Sequence, residues 1–164
     1  MRVAAALVFC MASLVGCANP WNTMNIPAGT SRQDVIAHAG QPIRVLPLAN
    51  GGERMQYTLQ PTGRYAFMVD LDATGHVMQV RQVMTPAEFN RIVPDQWTRV
   101  DVEAEFGPPA LVDHVASFQG DIYTYRWYEP GQGPMFWYVY FDPQGIVRRA
   151  HPGIEHFNGP ADRR

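Results

Sequence analysis

Apolar positions along this chain switch from a one-turn helical spacing to strand-like alternation, and the switch occurs twice in the same order. In the first pass Val35 and Ala39 lie one turn apart behind Ser31, and Met55-Tyr57-Leu59 and Phe67-Val69-Leu71 then alternate. In the second, Val102 and Phe106 lie one turn apart behind Thr98, and Tyr123-Tyr125-Trp127 and Trp137-Val139-Phe141 follow. Ser31 to Thr98 is 67 positions, Tyr57 to Tyr125 is 68 and Asp72 to Asp142 is 70. A register kept over three elements, with its drift confined to loops, predicts tandem structural units.

The residues between these runs supply the punctuation. Ser31 and Thr98 are N-caps whose hydroxyls accept from free amides of the first turn, with Asp34 and Asp101 at the third helical position as in a capping box. Gly40 and Gly107 suit a left-handed C-terminal turn, and Pro42 and Pro109 stop continuation. Asp72-Ala-Thr-Gly75 and Asp142-Pro-Gln-Gly145 carry type I turn residues and close a hairpin in each copy. Thr85 to Val93, with Pro86 first and Phe89, Ile92 and Val93 as its apolar stripe, predicts a further helix between the units. Arg44-Val45-Leu46 and Leu111 to Val115 are candidates for a short extra strand after each helix. The expected fold class is α+β: two tandem units of short helices packed on an antiparallel β-meander, residues 29–84 and 85–150, with a tail over 151–164.

The N-terminus changes the picture of where this domain sits. Arg2, an apolar run from Val3 to Val15, and Leu14-Val15-Gly16-Cys17 follow a secretory plan, and the run is too short for a spanning helix. Leu-Val-Gly-Cys resembles the bacterial lipobox, which implies a signal peptide over 1–16 and a lipid on Cys17; cleavage after an ordinary small residue is the alternative. Several acyl chains on one residue anchor stably. Ala18 after the cysteine resembles an outer-membrane sorting address, so the expected location is the periplasmic face of the outer membrane. Residues 17–28 contain two prolines and no period, and predict a flexible tether. Trp21 within it either sits at the lipid headgroups or packs on the domain.

Composition then limits the chemistry. The two cysteines, Cys10 in the signal and Cys17 under lipid, leave the mature chain with no disulfide, so its stability comes from core burial. All 13 basic residues are arginines against 15 acids, which gives no electrostatic case for nucleic acid. Ser31 and Ser117 are the mature serines and neither lies in a nucleophile elbow; no catalytic residue, metal site or cofactor is expected. His151, Glu155, His156, His114 and Asp113 could supply metal-type ligands for a hydrolase, but their spacing matches no zinc pattern, and solvated tail residues are favoured. Asp70 and Asp72 share a strand face, as a turn residue and an exposed neighbour.

The helix-to-Gly-x-Pro passages at Val35 to Pro42 and Val102 to Pro109, the strand Tyr123 to Trp127 and the hairpin Val139 to Val147 resemble the BamE/SmpA (OmlA) family of outer-membrane lipoproteins. That resemblance covers Gly29 to Ala150 and implies two helices on a three-stranded sheet and a role beside the outer-membrane assembly machinery. Two such units in one chain are similar to the β-lactamase inhibitory protein fold, which implies a shared sheet surface offered to a partner.

Comparing the copies points to the place of function. If Trp137, Val139 and Phe141 face the core, alternation turns Tyr138, Tyr140, Arg126 and Tyr128 outward, where the first copy has Met68, Asp70, Gln56 and Thr58. Tyrosine and arginine are frequent hot-spot residues, so these four are the candidate partner-binding residues. The alternative is that they form the core between the units. The expected function is a non-enzymatic, lipid-anchored envelope interaction module, with an inhibitor-like or ligand-sequestering module as the rival.

Overall fold

The computed structural model describes residues 19–155, so the expected signal peptide over 1–16, Cys17 and His156 lie outside the described residues. A 3-10 turn, Pro20–Asn25, precedes helix α1, Arg32–Ala39; strands β1, Arg44–Pro47, β2, Glu53–Thr58, β3, Ala66–Leu71, and β4, Val77–Gln82, follow. The chain then forms a single helical turn, α2, Pro86–Phe89, and helix α3, Arg99–Phe106. Strands β5, Leu111–Val115, β6, Phe118–Glu129, β7, Gly133–Phe141, and β8, Val147–Ile154, complete it. Among the described residues no helix is long and apolar enough to cross a membrane.

The α+β expectation is corrected by this inventory. The protein is mostly β, with two four-stranded antiparallel sheets in the orders β1-β2-β3-β4 and β5-β6-β7-β8. Its two longest helices have eight residues each, because Gly40 and Gly107 end them at φ values of 82° and 76°. The helix expected over 85–93 is one turn only, Thr85 capping it through Glu88 N. The short strand read after each helix is present as β1 and β5 and makes each sheet four-stranded, where the family resemblance implied three. Two neighbouring expectations shift: β8 takes residues 151–154 out of the expected tail, and residues 20–25 of the expected tether are a turn docked on the domain. Trp21 packs there, its ring 4.4 Å from Tyr65 and 5.8 Å from Phe67.

Each unit is held by the same small set of bonds. The Ser31 and Thr98 hydroxyls accept from Asp34 N and Asp101 N, contributing about 1 kcal/mol each. Arg32 N donates to Gly75 O at 2.9 Å and Arg99 N to Gly145 O at 2.8 Å, tying each helix start to its hairpin turn. The Tyr57 hydroxyl donates to Gly40 O and the Tyr125 hydroxyl to Gly107 O, both at 2.9 Å, tying each helix end to its sheet. Burial pushes the Tyr57 phenol up to about 12 and the Tyr125 phenol well above its ordinary value, so both remain donors. Gly52 and Gly120 are a further matched pair. A Cβ on either would lie about 2 Å from a carbonyl oxygen, that of Leu71 at 2.0 Å or Phe141 at 1.9 Å, where β3 and β7 shift register.

The units stack through α3. On one side Val102 and Phe106 meet Tyr123, Tyr125, Trp137, Val139 and Phe141 of the second sheet; the same core takes in Ala66 and Met68 from the first sheet. Met55, Tyr57, Phe67, Val69 and Leu71 on the first sheet's other face form a separate core under α1. The layers therefore run α1, first sheet, α3, second sheet.

The C-terminal end of α3 is clamped by polar groups. Gln56 Nε2 donates to Glu103 O at 2.9 Å and Ala104 O at 3.1 Å, and Arg54 Nη1 donates to Ala104 O at 3.1 Å. These carbonyls belong to the last turn of a helix, where cationic donors are favoured. Arg54 also forks onto both oxygens of Asp70 at 2.6 and 2.9 Å and reaches Glu105 at 2.6 Å. Burial alone would lower the Arg54 pKa, but the two carboxylates outweigh it and the net shift is upward. Glu105 shows the complementary balance: burial raises its pKa, while Arg54 and Arg81 outweigh that and hold it below its ordinary value.

Two outcomes are expected. Gly120→Ala costs roughly 2–3 kcal/mol in chemical denaturation because the new methyl meets a backbone oxygen. Because the folded Glu105 pKa is depressed, its stabilisation is present above the ordinary carboxylate value of 4.5 and is lost as pH falls through the folded value. Glu105→Gln should therefore flatten the acid limb of a stability–pH curve, and an unchanged limb would contradict the clamp.

Candidate interaction surface

The outward face of the second sheet is built by alternation on β6 and β7. The register sets Ile122 opposite Tyr140, Thr124 opposite Tyr138, Arg126 opposite Phe136 and Tyr128 opposite Pro134. Tyr123, Tyr125, Trp127, Trp137 and Val139 point the other way, into the core. The four residues singled out by sequence thus share one face, and the core between the units is made by other residues.

These four differ in what holds them. Tyr128 is 47% exposed at the end of β6. Tyr140 lies between neighbours: the Phe118 ring meets it edge-on at 5.2 Å, the His151 ring stacks at 5.4 Å, and the Arg149 guanidinium sits 3.9 Å from its centroid. Tyr138 lies across Gly153 on β8, where a Cβ would be 2.6 Å from its ring. Burial raises the Tyr138 pKa, with the charges of Tyr140 and Asp113 adding to it. Neither the Tyr138 nor the Tyr140 hydroxyl has a hydrogen-bond partner among the described residues, so both polar tips remain available. His151, read from sequence as a tail residue, is a strand residue of this face, with Nδ1 3.0 Å from Pro152 O.

Arg126 has a different job. Its Nη1 donates to Pro61 O and Thr62 O at 3.2 Å, and its Nη2 pairs with Glu155. The Gln60 side chain bonds the Arg126 backbone in both directions, Nε2 to O at 2.6 Å and Oε1 from N at 3.2 Å. Arg64 joins Glu155 at 2.9 Å. Arg126 therefore straps the β2–β3 loop of the first unit to the end of the second. Sequence reasoning missed Gln60, Arg64 and Glu155 as partners in this strap, because nothing local marks a pairing that crosses 91 positions.

The strap borders a cavity of about 480 Å³ lined by Leu111, Asp113, Thr124, Phe136, Tyr138 and Glu155, with Pro61, Ala110 and Arg126 at its margin. It is lined by aromatic and aliphatic side chains together with one guanidinium, two carboxylates and the Thr124 and Tyr138 hydroxyls. Among the described residues no three His, Cys, Asp or Glu side chains stand together as metal ligands. His114 pairs instead with Asp121 at 2.6 Å.

The two sheets present equivalent outer faces with different fates. On the first sheet Arg54, Gln56, Met68 and Asp70 are 7%, 0%, 0% and 2% exposed, because α3 covers them. The positions matching Gln56, Met68 and Asp70 in the second copy are Thr124, Tyr138 and Tyr140, and among the described residues no element covers that face as α3 covers the first.

No protein-family model matches the chain, and no curated protein matches it. Among solved structures it is similar to a DUF4309 family protein, YjgB, from Bacillus subtilis, at 15% identity over 77% of this chain and 79% of that one, with a TM-score of 0.32.

The strap and the tyrosines are expected to separate on mutation. Glu155→Gln leaves Arg126 and Arg64 without their shared carboxylate and should cost about 2 kcal/mol. Tyr140→Phe should leave stability within about 0.5 kcal/mol, since its hydroxyl bonds nothing within the described residues. Denaturant midpoints of the two variants check both.

Proposed function

We propose that this protein is a non-enzymatic, lipid-anchored envelope protein that uses the outer face of its second sheet to hold another envelope protein. The observation that carries this reading is the mismatch between the copies. The first sheet's outer face is filled by α3, and the matching face of the second has Tyr138, Tyr140 and Phe136 partly exposed, with Phe136 and Tyr138 lining a cavity. Large aromatic side chains with free polar tips, beside a rim of charged groups, have the composition of interface centres. A lipobox-like Leu14 to Cys17 supports attachment through acyl chains on Cys17, and the motif order shared with BamE/SmpA (OmlA) lipoproteins supports a place beside the outer-membrane assembly machinery. No cofactor enters this reading.

Photo-crosslinking residues placed at Tyr138 and Tyr140 in intact cells test it. The expected result is one discrete envelope protein captured from both positions and lost from Tyr138 when Tyr140 is changed to Ala. Adducts no more specific than those from an exposed residue on the far side, such as Val100, would overturn it.

A further inference from the structure

The second sheet has an edge strand that is open among the described residues. There β5 pairs with β6 alone, and all five of its residues are exposed, Leu111 at 54% and Val112 at 45%. Two of the other three edges are blunted: β1 ends in Pro47 and its Arg44 is paired with Glu103, while β8 carries Pro152. β5 has no proline, lysine or arginine, and its regular pairing is interrupted only past Asp113. Leu111 and Asp113 also line the cavity beside Phe136 and Tyr138, so edge and cavity are continuous.

We propose that the β5 edge accepts an extended segment of the partner protein as an added strand, with an apolar residue opposite Leu111 and a basic residue opposite Asp113. This rests on the reading of the outer face as a partner surface and specifies how the partner lies. Added strands bind through main-chain hydrogen bonds and are selected by the side chains opposite them. The Asp113 carboxylate accepts the His114 amide at 2.7 Å, and no cation pairs with it among the described residues. That leaves a negative charge facing the position a basic residue would take. A second copy of this chain is a poorer match in the registers that centre on the regularly paired residues. Two β5 strands paired about a two-fold at Asp113 set like charges opposite each other, and about Val112 they set Leu111 against Asp113.

Isotope-labelled protein titrated with two short blocked peptides tests the proposal. Both peptides alternate valine and threonine, one with a central lysine and the other with a central glutamate. Saturable amide shifts at Leu111 to Val115 are expected, with the lysine peptide bound about threefold more tightly. Asp113→Lys, a change at an exposed position, should reverse that order. Absence of saturable shifts along β5, or equal binding of both peptides that Asp113→Lys leaves unchanged, overturns it. Specific crosslinks from Tyr138 without β5 shifts would remove the edge pairing while leaving the partner face in place.

Discussion

Arg54 and Gln56, donating to the last carbonyls of α3, are the contact on which the whole arrangement depends. A helix end leaves carbonyls that must find donors, and here the donors come from the neighbouring unit. That choice turns two similar units into one stacked body, with α3 as the layer between the sheets. The cost of burying the Arg54 guanidinium is offset by a bidentate carboxylate in Asp70, a second carboxylate in Glu105 and the backbone oxygen of Ala104. Remove the guanidinium and Asp70 is stranded; remove Glu105 and the clamp loses its link to Arg81. The first sheet's outer face is thereby committed to the fold.

The same commitment leaves the second sheet's outer face without an occupant among the described residues. Duplication supplies two acceptor faces and one interposed helix. The second face has diverged accordingly, replacing the Arg54, Gln56 and Asp70 set with Ile122, Thr124 and Tyr140, so it lacks the matched donors that bind the terminal carbonyls of α3. What has been built in its place is an aromatic surface, ordered from within by His151, Arg149 and Gly153 and closed at one end by the Arg126–Glu155 strap. A surface held in place before binding loses little side-chain entropy on association.

Much of this was legible in the chain because the strongest signals are local. Caps at Ser31 and Thr98, stops at Gly40 and Gly107, turns at Asp72 and Asp142, and alternation along Tyr123 to Trp127 each act within a few residues. The fold class was misjudged for a related reason. Cap and stop residues announce helices clearly even when only eight residues separate them, whereas weakly patterned stretches such as Leu111 to Val115 and Val147 to Ile154 become strands only by pairing with a neighbour. The segment Thr85 to Val93 has a helical stripe, but the helix stops after one turn, with Phe89 and Ile92 in the core and Val93 exposed. Gly52 and Gly120 repeat at the same 68-position spacing as the tyrosines and could have been found by aligning the copies. The role of Arg126 could not, since its partners at Pro61, Thr62 and Glu155 are adjacent only in space.

The central claim is that the outer face of the second sheet is occupied in the envelope and bare in the purified protein. Side-chain oxidative footprinting of the protein in native envelopes and after purification measures this directly. Phe136, Tyr138 and Tyr140 should be protected in the envelope and labelled once purified, with Val100 and Met78 on other surfaces labelled alike in both. Equal labelling of all three aromatic residues in the two states would contradict the account.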